Sequence, residues 1–235
     1  MIKAVFFDWF NTLAVYDPPR ENLQSQAIRE NGYDISTEQV RSALLEADRI
    51  FYEENAANPL RLRSPEEMAE FFTRYESMLL NGVGIDTSNN PEVALKIYRR
   101  ARELYGDIGF ALYDDALPVL KKLSEQGIII GLITNIDSDM NPICEELEIL
   151  PYLDLIVTSG EAGSDKPEPG IFNLALEKAG VQPSEAIMIG DQYSNDVVGA
   201  RGVGIKPLLL DRFNQYPEVT DSPRIATLDE VFDYL

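Results

Sequence analysis

Apolar residues run from Ala4 to Phe7 and stop at a carboxylate, Asp8, with Thr12 four positions further on. A short run rich in β-branched and aromatic residues predicts a buried strand, and Asp8 would emerge at its carboxyl end. Four more apolar runs predict strands, at residues 128–134, 154–158, 186–190 and 204–210. Amphipathic stretches fall between them. Leu117, Leu120 and Leu123 stay in helical phase over residues 116–126. Phe172, Leu174, Ala175 and Leu176 mark residues 171–179. Gly127 and Gly180 follow these stretches as C-terminal caps. Residues 142–150 and 228–235 read as further short helices. Strands alternating with helices from about residue 113 onward predict a parallel sheet covered on both faces.

Residues 14–112 differ in texture. They lack strand-like runs and carry helical patterns over residues 20–31 and 37–55. Two more helices start at Ser64-Pro65-Glu66-Glu67, a capping box with Pro at the first helical position, and at Asn90-Pro91-Glu92. The expected organisation is therefore an α/β core of residues 1–13 and 113–235, interrupted after its first strand by a helical insert of residues 14–112. Such an insert would hang over the carboxyl end of the sheet as a cap.

Composition narrows the chemistry. Forty acidic against twenty basic residues give a formal charge of −20. Nucleic acid is excluded as a partner, because phosphate backbones need clustered cations. No run approaches the ~20 apolar residues that span a bilayer, and the N-terminus lacks a secretion pattern. With Cys144 as the single cysteine, no internal disulfide forms, and a cytoplasmic protein is the expectation. Histidine is absent, which removes Ser-His-Asp and Cys-His catalysis and HExxH zinc sites. Acid–base work falls to Asp, Glu, Lys or Tyr.

The remaining chemistry gathers at strand ends. Thr134-Asn135 ends the second core strand with a hydroxyl and an amide suited to an anionic oxygen. Lys166 stands in a loop rich in Gly and Pro after the third. Gly190-Asp191 and Asn195-Asp196 follow the fourth. In a parallel sheet these groups converge on one crevice with Asp8. A carboxylate cluster beside a substrate phosphate is the usual setting of Mg²⁺, which prefers oxygen ligands.

In this order the residues resemble the motifs of the haloacid dehalogenase superfamily of hydrolases, and the insert resembles the helical cap of its first subclass. The resemblance implies a Rossmann-like three-layer sandwich with strand order 3-2-1-4-5. It implies Asp8 as nucleophile, with Thr12 in the same motif. Thr134 and Asn135 would bind the transferred group, and Lys166 would steady Asp8 and the developing charge. Asp191 and Asp196 would hold Mg²⁺ together with Asp8 and the carbonyl oxygen of Phe10.

One position departs from the pattern. Phosphatases of the superfamily place a second Asp two residues after the nucleophile, to protonate the leaving alkoxide and later activate water, work worth roughly 10²–10⁴ in rate. Phe10 does neither. The expected activity is Mg²⁺-dependent phosphohydrolysis of a small anionic metabolite whose leaving group departs unprotonated. A 2-haloacid dehalogenase is the first alternative, since halide also leaves as an anion; Arg20, Arg41, Arg61 and Arg63 are then candidates to bind the substrate carboxylate. Against it, such dehalogenases lack the acid corresponding to Asp191. The second alternative is a member that has lost catalysis and binds a ligand or a protein. Oligomeric state is silent in the sequence.

Overall fold

The computed structural model describes residues 1–88 and 90–235; the side chains of residues 61, 91 and 107 also lie outside the described set. In chain order the strands and helices are β1 (Ala4–Phe7), β2 (Ala14–Asp17), α1 (Arg20–Glu30), α2 (Thr37–Ala57), α3 (Pro65–Gly82), α4 (Pro91–Leu104), β3 (Gly109–Leu112), α5 (Ala116–Glu125) and β4 (Ile129–Thr134). They continue with α6 (Asn141–Glu146), β5 (Leu155–Thr158), α7 (Ser159–Ala162), α8 (Pro169–Ala179), β6 (Ala186–Gly190), α9 (Gly199–Gly202), β7 (Lys206–Leu210) and β8 (Arg224–Ile225). The chain divides into two compact units, residues 1–15 with 110–235, and residues 16–109.

The first unit is built on a six-stranded sheet of order β5-β4-β1-β6-β7-β8. All its pairings are parallel, and its first five strands realise the expected 3-2-1-4-5 order. The register aligns Phe7 with Leu132 on one side and with Ile189 on the other, so three strands end together around Asp8. Alternation along β1 separates two cores. Val5 and Phe7 join Ile130, Leu132, Ile187 and Ile189 beneath Leu120 and Leu123 of α5. Ala4 and Phe6 join Ile133 and Met188 beneath Phe172 and Leu176 of α8. A strand buried on both faces has no polar side, which is why β1 reads as a continuous apolar run. The result is an α/β Rossmann-like three-layer sandwich.

One expectation needs correction. The stretch lacking strand-like runs begins and ends in short strands, since β2 and β3 pair as a separate two-stranded sheet. Ala14-Val15-Tyr16-Asp17 is only partly buried and ends in a carboxylate, so it offers no continuous apolar run to read. β8 is shorter still, two residues, and extends the sheet edge. The closing segment Leu228–Tyr234 forms the expected short helix, wound as a 3₁₀ helix. Among the described residues, no helix is long and apolar enough to cross a membrane.

The second unit packs α1–α4 around Ile28, Leu44, Leu79, Leu80 and Ile97. The Ser64 capping box forms as expected: its hydroxyl accepts from the Glu67 amide at 3.2 Å and its own amide donates to Glu67 at 2.7 Å. A polar seam also runs through this unit. Arg20 Nη2 donates to Asp48 at 2.8 Å and to the Tyr75 hydroxyl at 2.9 Å. Tyr75 in turn donates to Asp48 at 2.6 Å. Nearby, Gln24 Nε2 donates to Glu76 Oε1 at 2.6 Å, and Glu76 is only 2% exposed.

Burial pushes the Glu76 carboxyl up to about 8, against the opposing pull of Gln24 and Arg20. The folded protein therefore keeps this proton over a range where the unfolded chain, with an ordinary value of 4.5, releases it. The contribution is fully present below the unfolded value and is lost as pH rises through the folded one. The prediction is that the urea midpoint of the wild type falls relative to that of Glu76→Gln between about pH 5 and about pH 8. A constant difference over that interval would show that Glu76 is already ionised in the folded state.

Candidate active site

The site belongs wholly to the first unit and sits at the carboxyl ends of β1, β4 and β6. Asp8 follows β1 directly, its amide bonded to the Ile189 carbonyl of β6 at 2.9 Å. The chain then turns tightly, with the Trp9 carbonyl accepting from the amides of Leu13 and Ala14 at 3.0 Å each. Asn11 sits in this turn at φ +60°, the left-handed region that Asn tolerates better than most residues. The turn brings Thr12 back towards Asp8, and its hydroxyl donates to Asp8 Oδ2 at 3.4 Å. Trp9 is fully buried and packs edge-on against Phe110 with ring centroids 5.4 Å apart, a core role. Phe10 packs half-buried against the same core.

Lys166 lies at the centre. Its ammonium donates to Asp8 Oδ1 and, at 2.7 Å, to Asp196 Oδ1. All three side chains are shut off from solvent, Lys166 at 3% exposure and Asp196 at 1%. The Asn135 side chain clamps the Lys166 backbone from both sides. Its Oδ1 accepts from the Lys166 amide at 2.7 Å and its Nδ2 donates to the Lys166 carbonyl at 3.0 Å. Asn135 thus aims the lysine, a job that the strand-end pattern alone did not disclose. Thr134 is buried at the end of β4, and its hydroxyl accepts from the Ile136 amide at 3.3 Å.

Asp196 is fixed from a second direction, because its Oδ2 accepts from the Gln192 amide at 3.0 Å. It belongs to a π-helical turn, Tyr193–Val198, a wide turn often found at functional sites. Gln192 carries no sequence signal for this task, since the donor is its backbone. Asp191 is half-buried, and its Oδ1 is sealed from solvent without a hydrogen-bond partner. One carboxylate oxygen from each of Asp8, Asp191 and Asp196 lies within 4.8 Å of the others.

Electrostatics follow from this crowding. Burial pushes the Asp8 carboxyl up to about 6; Lys166 pulls it down while Asp196 adds to the rise. Burial and the charges of Asp8 and Asp196 hold Asp191 well above the usual carboxylate range, against Lys166 and a hydrogen bond from the Asn11 side chain. Burial opposes the Lys166 charge, yet Asp196 and Asp8 together keep it firmly protonated. Three acids share one cation, so the cluster carries excess negative potential. An orphaned oxygen on Asp191 and hard oxygen donors on three sides fit a small divalent cation.

Arg20 does not belong to this cluster; it lies in the second unit, engaged by Asp48 and Tyr75. There Arg41 pairs with Glu21 and Arg63 with Glu54, while the Arg61 side chain is outside the described set.

Gly190 leaves no room for a side chain. An added Cβ would stand 2.1 Å from Asp196 Oδ2 and 2.2 Å from its Cγ. Gly190→Ala must therefore displace the carboxylate that anchors Lys166, at a cost of about 1–3 kcal/mol. Chemical denaturation measures this, and an unchanged midpoint would mean that Asp196 moves without loss.

Comparison with known proteins identifies the family. Residues 2–204 match the haloacid dehalogenase-like hydrolases. The ribulose-1,5-bisphosphate 5-phosphatase of Halopiger xanaduensis is 29% identical over 97% of this chain and 92% of its own length. The glyceraldehyde 3-phosphate phosphatase of Methanopyrus kandleri is 31% identical over 90% of this chain and 85% of its own. The crystal structure of a HAD phosphatase from Thermococcus onnurineus shares the fold, with a TM-score of 0.61 over 99% of this chain and 97% of that one at 24% identity. With the sheet order, the strand-end residues and the family match in agreement, the chain belongs to the haloacid dehalogenase-like hydrolases.

Proposed function

We propose that the protein is a Mg²⁺-dependent phosphohydrolase acting through Asp8 on a small phosphorylated metabolite whose leaving group departs without a proton. The observation that carries this reading is the triad of carboxylates within 4.8 Å, bridged on one side by Lys166. The second unit would serve as the cap, and the two relatives named as phosphatases of small phosphorylated sugars support a substrate of that size.

Asp8, Asp191 and Asp196, with the Phe10 carbonyl, would hold Mg²⁺. When bound, the ion offsets charge between the carboxylates and a phosphoryl group and polarises the phosphorus. Asp8 attacks phosphorus, forming an O–P bond as the bond to the leaving oxygen breaks and its electron pair departs with the leaving group. Lys166 donates hydrogen bonds to Asp8 and Asp196 and offsets charge building on the phosphoryl oxygens. The Thr134 hydroxyl and the second N–H of the Asn135 amide would donate to those oxygens. Water then cleaves the aspartyl-phosphate and regenerates Asp8.

Phe10 sets the substrate range. An apolar ring two residues after the nucleophile protonates no alkoxide, so acyl phosphates, phosphoanhydrides and activated aryl phosphates are favoured over simple alkyl esters. The same ring activates no water, which makes cleavage of the aspartyl-phosphate the slow step. Displacement of halide is disfavoured, because Asp191 adds a third acid to a site that would receive a carboxylate substrate.

Two outcomes are expected. The wild type releases phosphate from acetyl phosphate and p-nitrophenyl phosphate with Mg²⁺, with a burst of one p-nitrophenolate per chain, and Asp8→Asn abolishes both; EDTA-resistant dechlorination of 2-chloropropionate would overturn the assignment. Phe10→Asp raises steady-state turnover of glyceraldehyde 3-phosphate on the order of 10²-fold or more. Equal rates for the two proteins on that substrate would mean that position 10 does not limit the chemistry.

A further inference from the structure

The nucleophile turn is held from its outer side by one arginine. Arg212 follows β7 in the loop leaving Leu210 and reaches across to residues 200 positions earlier in the chain. Its Nη2 donates to the Thr12 carbonyl at 3.1 Å. The same guanidinium forms a two-pronged pair with Asp115, Nη1 to Oδ2 and Nη2 to Oδ1, at 2.8 Å each. Its carbon stands 4.1 Å from the centre of the Tyr113 ring. Asp115 is itself anchored, accepting from the Leu228 amide at 2.9 Å, and the Tyr113 amide donates to the Leu13 carbonyl at 3.0 Å.

These contacts aim the guanidinium. A fork fixed on a carboxylate and stacked on a ring has one orientation left, and in it a third donor meets Thr12. Asp115 keeps its charge below the usual carboxylate range: burial works against it, but the Arg212 and Leu228 hydrogen bonds prevail. Thr12 is fully buried, so its carbonyl has no water to turn to if the arginine leaves. Its hydroxyl, on the same residue, donates to Asp8. The chain of contact therefore runs Asp115, Arg212, Thr12, Asp8, and it pins the turn whose opening would swing the nucleophile.

We infer that Arg212 is a positioning residue for Asp8, acting through the Thr12 carbonyl, with Asp115 as the part that aims it. For the effect on rate, this rests on the phosphohydrolase reading above. Arg212 touches none of Asp8, Lys166, Asp191 and Asp196 by a hydrogen bond, so its loss alters the direction of the nucleophile and leaves the charge set intact.

The experiment uses the intact chain and two readouts. In acetyl phosphate hydrolysis with Mg²⁺, Arg212→Met lowers kcat on the order of 10–100-fold with KM within about twofold, the signature of misplaced reacting atoms. Arg212→Lys, which keeps a cation able to reach the carbonyl, recovers part of that loss. In amide hydrogen exchange, Leu13 and Ala14, bonded to the Trp9 carbonyl, exchange about tenfold faster or more in Arg212→Met, while the β4 amides keep wild-type rates. If Arg212→Met does not fold, Asp115→Asn loosens the same fork from the other side and is expected to give the same local pattern. Unchanged turn exchange, or exchange accelerated equally across the sheet with kcat intact, overturns the inference and leaves Arg212 an ordinary structural ion pair. A wild type that hydrolyses no phosphate substrate defeats the phosphohydrolase reading alone, because the exchange measurement still decides the role of Arg212.

Discussion

The architecture of the site depends on one buried ammonium. Lys166 stands between Asp8 and Asp196 with almost no access to water, and Asp191 completes the group. Burying a carboxylate without a partner is prohibitive, and removing one member of a buried pair costs on the order of 3–5 kcal/mol. One cation against three acids leaves a deficit, and the raised Asp8 and Asp191 values express it. A site in this condition fits a divalent cation, which would relieve a charge imbalance that folding has already imposed.

Much of the surrounding structure can be understood as keeping that lysine and its partners in place. Asn135 grips the Lys166 backbone, the Gln192 amide holds Asp196, and Gly190 removes the Cβ that would push Asp196 aside. The parallel sheet provides the frame. Its register ends β1, β4 and β6 together, so side chains more than 180 positions apart in sequence share one pocket of charge. At the turn after Asp8, Arg212 and Asp115 close the same frame with a second ion pair.

The contrast between the two units is one of polarity. The first unit concentrates its buried charge at the strand ends, where a substrate can use it. The second threads Arg20, Asp48, Tyr75 and Glu76 between helices that also pack around an aliphatic cluster. Burial lifts the Glu76 carboxyl of this unit to about 8, against the pull of Gln24 and Arg20. Arg20, a candidate substrate contact by sequence, is there committed to Asp48 and Tyr75.

By itself the sequence determined the core strands, the helices between them and the identity of the charged cluster, and the resemblance it carries implied the strand order. Apolar runs and helical periods are local, and a parallel sheet forces residues that follow its strands to one end. It was silent wherever the deciding atom belongs to the backbone or to a distant side chain. Asn135 is read locally as an anion ligand, and only folding shows that its amide is turned onto Lys166. Gln192 acts through its amide, which no residue type announces. Arg212 and Thr12 are 200 residues apart, and nothing in either neighbourhood predicts that they meet. The short strands β2, β3 and β8 escaped for a related reason: unlike β1 they are not fully buried apolar runs, and pairing alone makes them strands. Asp8 was thus written in the local chain, whereas its direction and charge were decided by groups that only the tertiary structure brings to it.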